Sequence, residues 1–188
     1  MPAVILYGPP AAGKNTVTEA LTRLDDSYRL YQPLKVGGGR TVGYRMTTLS
    51  HVDELRNAGS VVWETHRYGA LYVVDRASLA DMLEVCIPVL HLGQIGAVKA
   101  VTAALPPATQ YVTVWLWCPR DVALRRITER DTGDTTARLL AWDETAPLPE
   151  ADISITTTEV HPADAAAMVH SRVQDRRNRA LDPSRLPR

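Results

Sequence analysis

The sequence predicts an α/β protein with a mainly parallel central sheet. Three observations lead there. Short apolar runs of strand length alternate with helix-length segments along most of the 188 residues. The first apolar run ends in a glycine-bearing turn that leads straight into a helical segment. The length suits one domain with a sizeable hydrophobic core.

Residues 3–7 (Ala-Val-Ile-Leu-Tyr) read as a buried central strand bounded by Gly8, and residues 15–24 as a helix. Residues 86–92 form a second buried run, with Pro88 weakening its start. Residues 94–104 read as a helix. Residues 111–118 (Tyr-Val-Thr-Val-Trp-Leu-Trp-Cys) are the clearest strand, with Trp115 and Trp117 as packing residues. Pro119 and Asp121 open a helix to about Thr128. A short strand, 152–156, precedes a helix from about 162 to 179, and the tail from Ala180 to Arg188 is expected to fray.

Two segments break the rhythm. Residues 28–75 carry Gly37-Gly38-Gly39, β-like pieces around 44–49, 61–64 and 70–74, and a short helix at 52–58. They read as an insertion built on its own small sheet. Residues 130–150 are polar, Thr-rich and closed by Pro147 and Pro149, as a mobile flap would be.

Composition excludes several classes. There are 21 Lys+Arg against 21 Asp+Glu, so bulk charge does not favour nucleic acid. The six arginines after Ser171 read as a solvated helix and tail, and Arg125 as a solvated helix residue. Cys86 and Cys118 lie in apolar runs and read as reduced core residues, which excludes a disulfide scaffold. No apolar stretch is long enough for a membrane span, and the N-terminal run lacks the basic flank of a signal peptide. The expected setting is cytoplasmic, without nucleic-acid or membrane partners, as a monomer or homodimer.

Gly8-Pro-Pro-Ala-Ala-Gly13-Lys14-Asn15-Thr16 stands between a strand and a helix, the context a phosphate-binding P-loop requires. Its glycines let backbone N–H groups turn toward phosphate oxygens, and the helix N-terminus adds partial positive charge. Gly8, Ala11, Ala12, Gly13, Lys14, Asn15 and Thr16 are the ATP-binding candidates. Lys14 would bridge the β- and γ-phosphates. Asn15 stands where a Mg2+-binding hydroxyl usually sits, so Thr16 is the one candidate metal ligand, with Mg2+ held mostly by water and nucleotide.

Later segments resemble the guanylate kinase family, in family order. Val52-Asp53-Glu54-Leu55 resembles an element of its acceptor-binding subdomain. Trp63 with Gly69-Ala-Leu-Tyr72 resembles its Trp-Ala…Gly-Asn-Tyr-Tyr-Gly run, and His91-Leu-Gly93-Gln-Ile-Gly96-Ala-Val-Lys99 its Asp-x-Asp-x-Gln-Gly run. Arg126-Ile-Thr-Glu-Arg130-Asp-Thr132, with Arg138-Leu139, resembles its lid, about three residues shorter. The resemblance implies a three-layer P-loop NTPase fold forming a single domain over residues 1–188. The core would be 1–30, 76–128 and 149–180, the acceptor-binding subdomain about 31–75, and the lid about 129–148. It implies an ATP- and Mg2+-dependent kinase of a small phosphorylated acceptor, with Lys14, Arg126, Arg130 and Arg138 as catalytic residues.

The acceptor segment departs from the family. Lys35, Arg40, Tyr44 and Arg45 stand where the family has Thr-Arg-x-Pro-Arg, in an unfixed register. Tyr72 matches a phosphate-binding tyrosine. Glu64 lies one residue from the guanine-reading Glu, Val73 and Val74 replace Gly and Ser/Thr, and His91 and Gly93 replace two aspartates. His91 is an acceptor-binding candidate at the carboxyl end of a central strand. His66, Arg67 and Tyr68 are further candidates. The acceptor is a GMP-like nucleotide by default, or a ribose phosphate or other biosynthetic intermediate. An inactive binding module on the same fold is the reading from a different class.

Overall fold

The computed structural model describes residues 1–130 and 133–181. In chain order these form β1 (Ala3–Tyr7), α1 (Lys14–Leu24), β2 (Tyr28–Leu30), β3 (Leu34–Val36), β4 (Arg45–Met46), α2 (Leu49–Asn57), β5 (Val61–Arg67) and β6 (Ala70–Asp75). Then follow α3 (Arg76–Val85), β7 (Ile87–Leu92), α4 (Ile95–Ala104), β8 (Tyr111–Trp117), α5 (Arg120–Thr128), α6 (Thr135–Asp143), β9 (Ile153–Thr156) and α7 (Pro162–Leu181).

The main sheet has the order β2-β7-β1-β8-β9 and every pairing in it is parallel. Parallel strands need crossover helices, and these cover both faces. Alternation along β1 shows the layering. Val4 and Leu6 pack with Val17 and Leu21 of α1 and Val169 and Val173 of α7. Ala3, Ile5 and Tyr7 pack on the other face with Leu79 and Leu83 of α3 and Val98 and Val101 of α4. The expected α/β three-layer fold with a parallel central sheet is therefore what the chain adopts.

The inserted segment forms a second sheet, ordered β4-β3-β6-β5, with its own small core of Leu34, Val52, Leu71 and Val73. β5 and β6 are joined at Tyr68 and Gly69, whose φ values of 52° and 70° suit a tight hairpin of the right twist. The sheet is braced to the core at Asp75, which is buried and caps α3 through Ser78 N–H (2.9 Å). Its carboxylate also accepts from Tyr31 Oη (3.1 Å) and pairs with Arg45.

Three expectations change. α3 fills residues that had no assigned element. The flap contains a helix, α6, whose Ala141, Leu139 and Trp142 pack on Ala123 and Ile127 of α5. Arg172 and Arg176 are half-buried and tied down rather than free on a solvated face. Arg176 pairs with Asp152, and Arg172 donates to the Asp152 carbonyl (3.4 Å), tying α7 to the start of β9. The final helix is described as far as Leu181, and the tail beyond it, like Asp131 and Thr132 of the expected lid, lies outside the described residues. No helix among the described residues is long and apolar enough to cross a membrane.

Candidate functional site

The turn from β1 into α1 shapes the site. Gly8 approaches β8 so closely that a Cβ there would meet the Leu116 carbonyl oxygen at 2.2 Å. Only glycine allows this contact, which presses the loop onto the carboxyl edge of the sheet. Ala11 and Gly13 adopt positive φ values of 61° and 90°. The first intrahelical bond runs from Val17 N–H to the Gly13 carbonyl (3.0 Å), and Gly13 provides no side-chain cap. The N–H groups of Lys14, Asn15 and Thr16 therefore have no carbonyl of their own helix to bond, which is what an anion needs. Lys14 Nζ folds back onto the carbonyls of Gly8 (2.6 Å) and Pro9 (2.8 Å). Burial, with the nearby Arg130 guanidinium adding, lowers its ammonium to about 7.

Two cavities flank this loop. The subdomain-side cavity, of about 270 Å3, is closed by the loop, the second sheet, α4 and α6. Tyr44, Tyr68, Tyr72, Arg40, Arg67, Arg130 and Arg138 line it, with Trp63, Val73, Val74 and Ala97 as its apolar wall. No aspartate or glutamate lines it among the described residues. The α7-side cavity, of about 320 Å3, lies between the loop, α5 and the start of α7, and Thr16, Arg126, Glu129 and Thr157 line it. Ala11, Gly13 and Arg130 are common to both.

The arginines divide between these cavities. Arg126 faces only the α7-side one and donates to the Ala11 carbonyl (3.0 Å) and Thr157 Oγ1 (3.3 Å). Arg138 faces only the subdomain-side one, donates to Asp134 (2.5 Å), and lies 4.6 Å from the Tyr68 ring centroid. Burial works against the Arg138 charge, but the Asp134 carboxylate outweighs it and raises its basicity. Arg130 faces both. Burial, then the charges of Arg138, Arg40 and Arg126, lower its basicity, as expected where cations converge without enough counter-charge.

His91 ends β7 beside the loop. Its Nε2 lies 2.7 Å from Thr18 Oγ1, and that hydroxyl is also within reach of the Lys14 carbonyl (3.0 Å). The one hydroxyl proton serves either the carbonyl or Nε2, and the imidazole tautomer follows from which it serves. Burial, helped by the Lys14 charge, lowers the imidazole to about 3. It is neutral at ordinary pH.

Three acceptor candidates stand elsewhere than expected. Glu64 points away from the cavity, because side chains alternate along β5. Trp63, Thr65 and Arg67 face in, while Glu64 pairs with Arg56 of α2 (2.9 and 3.1 Å). Arg45 lines neither cavity, since Asp75 and the Gln32 carbonyl (2.8 Å) hold its guanidinium. Lys35 is 2% exposed, beneath the cavity rather than in it, and donates to the carbonyls of Gly38 (2.6 Å) and Arg40 (2.7 Å). Of the further candidates, Arg67 and Tyr68 line the cavity and His66 faces away. Arg40, Tyr44, Tyr72 and His91 line it. Burial pushes the Tyr72 phenol up to about 12, so it stays a donor.

Sequence reasoning passed over Thr65, Thr18 and Thr157. The alternation that places Trp63 inward would have found Thr65. Thr18 and Thr157 act through partners distant in sequence, and no local signal marks them.

The cleft is roofed. Arg67 of β5 pairs with Glu144 at the end of α6 (2.9 Å), and Tyr7 Oη donates to the Ala146 carbonyl (2.7 Å). Together with the Tyr68–Arg138 contact, these join the hairpin tip, α6 and the core.

No family model and no curated protein sequence matches the chain. Its fold is similar to the crystal structure of guanylate kinase from Anaplasma phagocytophilum, with a TM-score of 0.62 and 13% identity over 98% of this chain and 88% of that one. It is also similar to the crystal structure of APE1195, with a TM-score of 0.57 and 14% identity over 93% of this chain and 95% of that one. The chain thus has a guanylate-kinase-like fold.

Proposed function

We propose that the chain is a phosphotransferase that moves the γ-phosphoryl group of ATP to a small phosphorylated acceptor other than a guanine nucleotide. The observation that carries this reading is the pair of cavities on either side of the P-loop, meeting at Arg130. ATP lies with its phosphates on the loop and its nucleoside in the α7-side cavity, beside Arg126 and Thr157. The acceptor lies in the subdomain-side cavity.

The lining argues for the acceptor class. Lys14, Arg40, Arg67, Arg130 and Arg138 line the space that a phosphate would fill, and the tyrosine hydroxyls would supply further donors. Guanine presents N–H donors that need partners, and no carboxylate among the described residues faces inward. A buried donor left unpaired costs about 1–3 kcal/mol, and loss of such partners can shift selectivity by about 10⁴.

The chain's own groups do the following. The N–H groups at the start of α1 orient the donor phosphates. Lys14 and Arg130 hold positive charge where negative charge builds in the transition state. Arginine suits this role because it stays charged when desolvated and grips two oxygens at once. α6 and the hairpin tip exclude water, so that the phosphoryl group reaches the acceptor and is not hydrolysed. Thr16 and Thr157 are the hydroxyls that line the nucleotide side, Thr16 at the start of α1, and no group of three His, Cys, Asp or Glu is assembled among the described residues. Mg2+ fits such a site as a companion of the nucleotide, held by phosphate oxygens and water near Thr16, where it would offset phosphate charge.

The test is ADP release from ATP and Mg2+ with GMP, dGMP, AMP, CMP, UMP, ribose 1-phosphate, ribose 1,5-bisphosphate or no acceptor. Selective release with a non-guanine acceptor, abolished in Lys14→Ala, is the expected result. Release with GMP at a kcat/KM near ~10⁶ M⁻¹s⁻¹, the level of a good natural substrate, refutes the acceptor class. Failure of the chain to bind ATP refutes the activity.

A further inference from the structure

Lys35 is the least expected side chain of the molecule. It lies on β3, between Met46 of β4 and Tyr72 of β6 in the register of the second sheet, and is 2% exposed. No carboxylate among the described residues pairs with it. Its Nζ donates to the carbonyls of Gly38 and Arg40, and sits 5.4 Å from the Tyr44 ring centroid and 5.6 Å from that of Tyr72. The two rings touch each other at 5.2 Å between centroids.

A buried ammonium has three donors and needs partners for them. Here two go to one loop and the remaining face of the charge meets two aromatic rings, an attractive placement for a cation. The loop is glycine-rich, and Gly37 and Gly39 adopt φ values of 117° and 79°. Such a segment has much conformational freedom to lose and no apolar side chain with which to anchor itself. The Lys35 bonds fix it on both sides of Gly39. The residue thereby set in place is Arg40, which lines the cavity beside Tyr44 and whose charge bears on Arg130.

We propose that Lys35 is a positioning residue for the acceptor's phosphate. It pins the loop of residues 37–40 against the Tyr44–Tyr72 pair, so that Arg40 is held at the anion site before the acceptor arrives. This rests on the reading of the subdomain-side cavity as the acceptor site. Pre-setting a flexible arginine removes an ordering cost that binding would otherwise carry.

The experiment uses inorganic phosphate as the probe, with calorimetric affinities for the wild-type chain, Lys35→Met, Arg40→Ala and the double variant. Arg40→Ala is expected to weaken phosphate binding about tenfold, the scale of one hydrogen bond to a charged group. Lys35→Met is expected to weaken it by a similar factor, and the double variant by no more than either single one, because Lys35 acts through Arg40. Hydrogen exchange of the amides of residues 38–43 should speed up in Lys35→Met. A general loss of packing would not produce that coupling to Arg40. If Lys35→Met does not fold, Lys35→Gln, which keeps a donor without the charge, replaces it in the cycle. Three results overturn the proposal: no phosphate binding by the wild-type chain, unchanged affinity in the Lys35 variant, or losses that multiply in the double variant. An ATP titration of the wild-type chain separates these from failure of the phosphotransferase reading, since the P-loop lies apart from Lys35.

Discussion

On the proposed function, Lys14 should make nucleotide binding dependent on pH in a range where an ordinary lysine would be silent. Its ammonium is lowered to about 7, first by burial and then by Arg130, from the usual 10.5. Nucleotide phosphates need the charged form. Above about 7 the free protein gives up that proton, and binding must take it back. Each further pH unit therefore weakens apparent affinity nearly tenfold, so the Kd should rise roughly twenty- to thirtyfold between pH 7.5 and 9. Phosphate groups are fully ionised across that range and do not blur the result. The assay is calorimetric titration of a non-hydrolysable ATP analogue with Mg2+, repeated in buffers of different ionisation enthalpy. It should register uptake of nearly one proton at pH 8.5. Lys14→Met should bind weakly and without this dependence. A wild-type Kd that stays flat from pH 7.5 to 9 would refute the reasoning, since that is how a lysine titrating at 10.5 behaves.

Other outcomes follow from the same contacts. His91 is neutral in the folded chain down to about 3, whereas its unfolded counterpart takes up a proton near 6.5. Between those values the unfolded state binds more protons, so stability falls as pH drops through that window. His91→Asn should flatten the fall of the urea midpoint between pH 6.5 and 5, and an unchanged slope would count against the neutral imidazole. Glu64→Gln should leave phosphoryl transfer unchanged and alter stability by no more than about 1 kcal/mol, because its partner Arg56 is a surface one. A large loss of transfer would mean that β5 presents its other face. Asp75→Ala should cost roughly 3 kcal/mol in urea denaturation, since it leaves Arg45 and Tyr31 without their partner and removes the cap of α3. A loss under about 1 kcal/mol would show that the brace is dispensable.

What could be read in advance depended on how far the deciding contact lies along the chain. β1, the glycine-bearing turn and α1 were legible because an apolar run, glycines and a helix start are all local features. β8 was legible because seven residues of strand-forming type stand together. The acceptor segment was not. Lys35, Arg45 and Arg40 look alike as cations in a loop-like stretch, yet Arg45 is consumed by Asp75, thirty positions away. Lys35 is consumed by the loop itself, and Arg40 alone remains at the cavity. Glu64 sits one position from the residue it resembles, and on a strand a one-residue offset turns a side chain to the opposite face, where Glu64 meets Arg56. α6 was read as loop because Thr135 and Thr136 are poor helix formers, and its stability comes from Trp142, Leu139 and Ala141 on α5. His91 was rightly placed at the strand end, but its tautomer depends on Thr18, 73 positions earlier.

The two cavities share only Ala11, Gly13 and Arg130 among the described residues that line them. This small overlap has an evolutionary consequence. Substitutions in β5, β6 or the glycine loop can reshape one cavity while leaving Arg126, Thr16 and Thr157 untouched in the other. On the proposed function, acceptor choice can therefore drift under selection without disturbing the donor side, and the two halves should tolerate separate lineages of change. The shared residues have no such freedom, because a change at any of them alters both cavities at once. A library randomised over the linings should show this asymmetry, with Gly13 and Arg130 nearly invariant among survivors and the apolar wall at Trp63, Val73 and Val74 diverse.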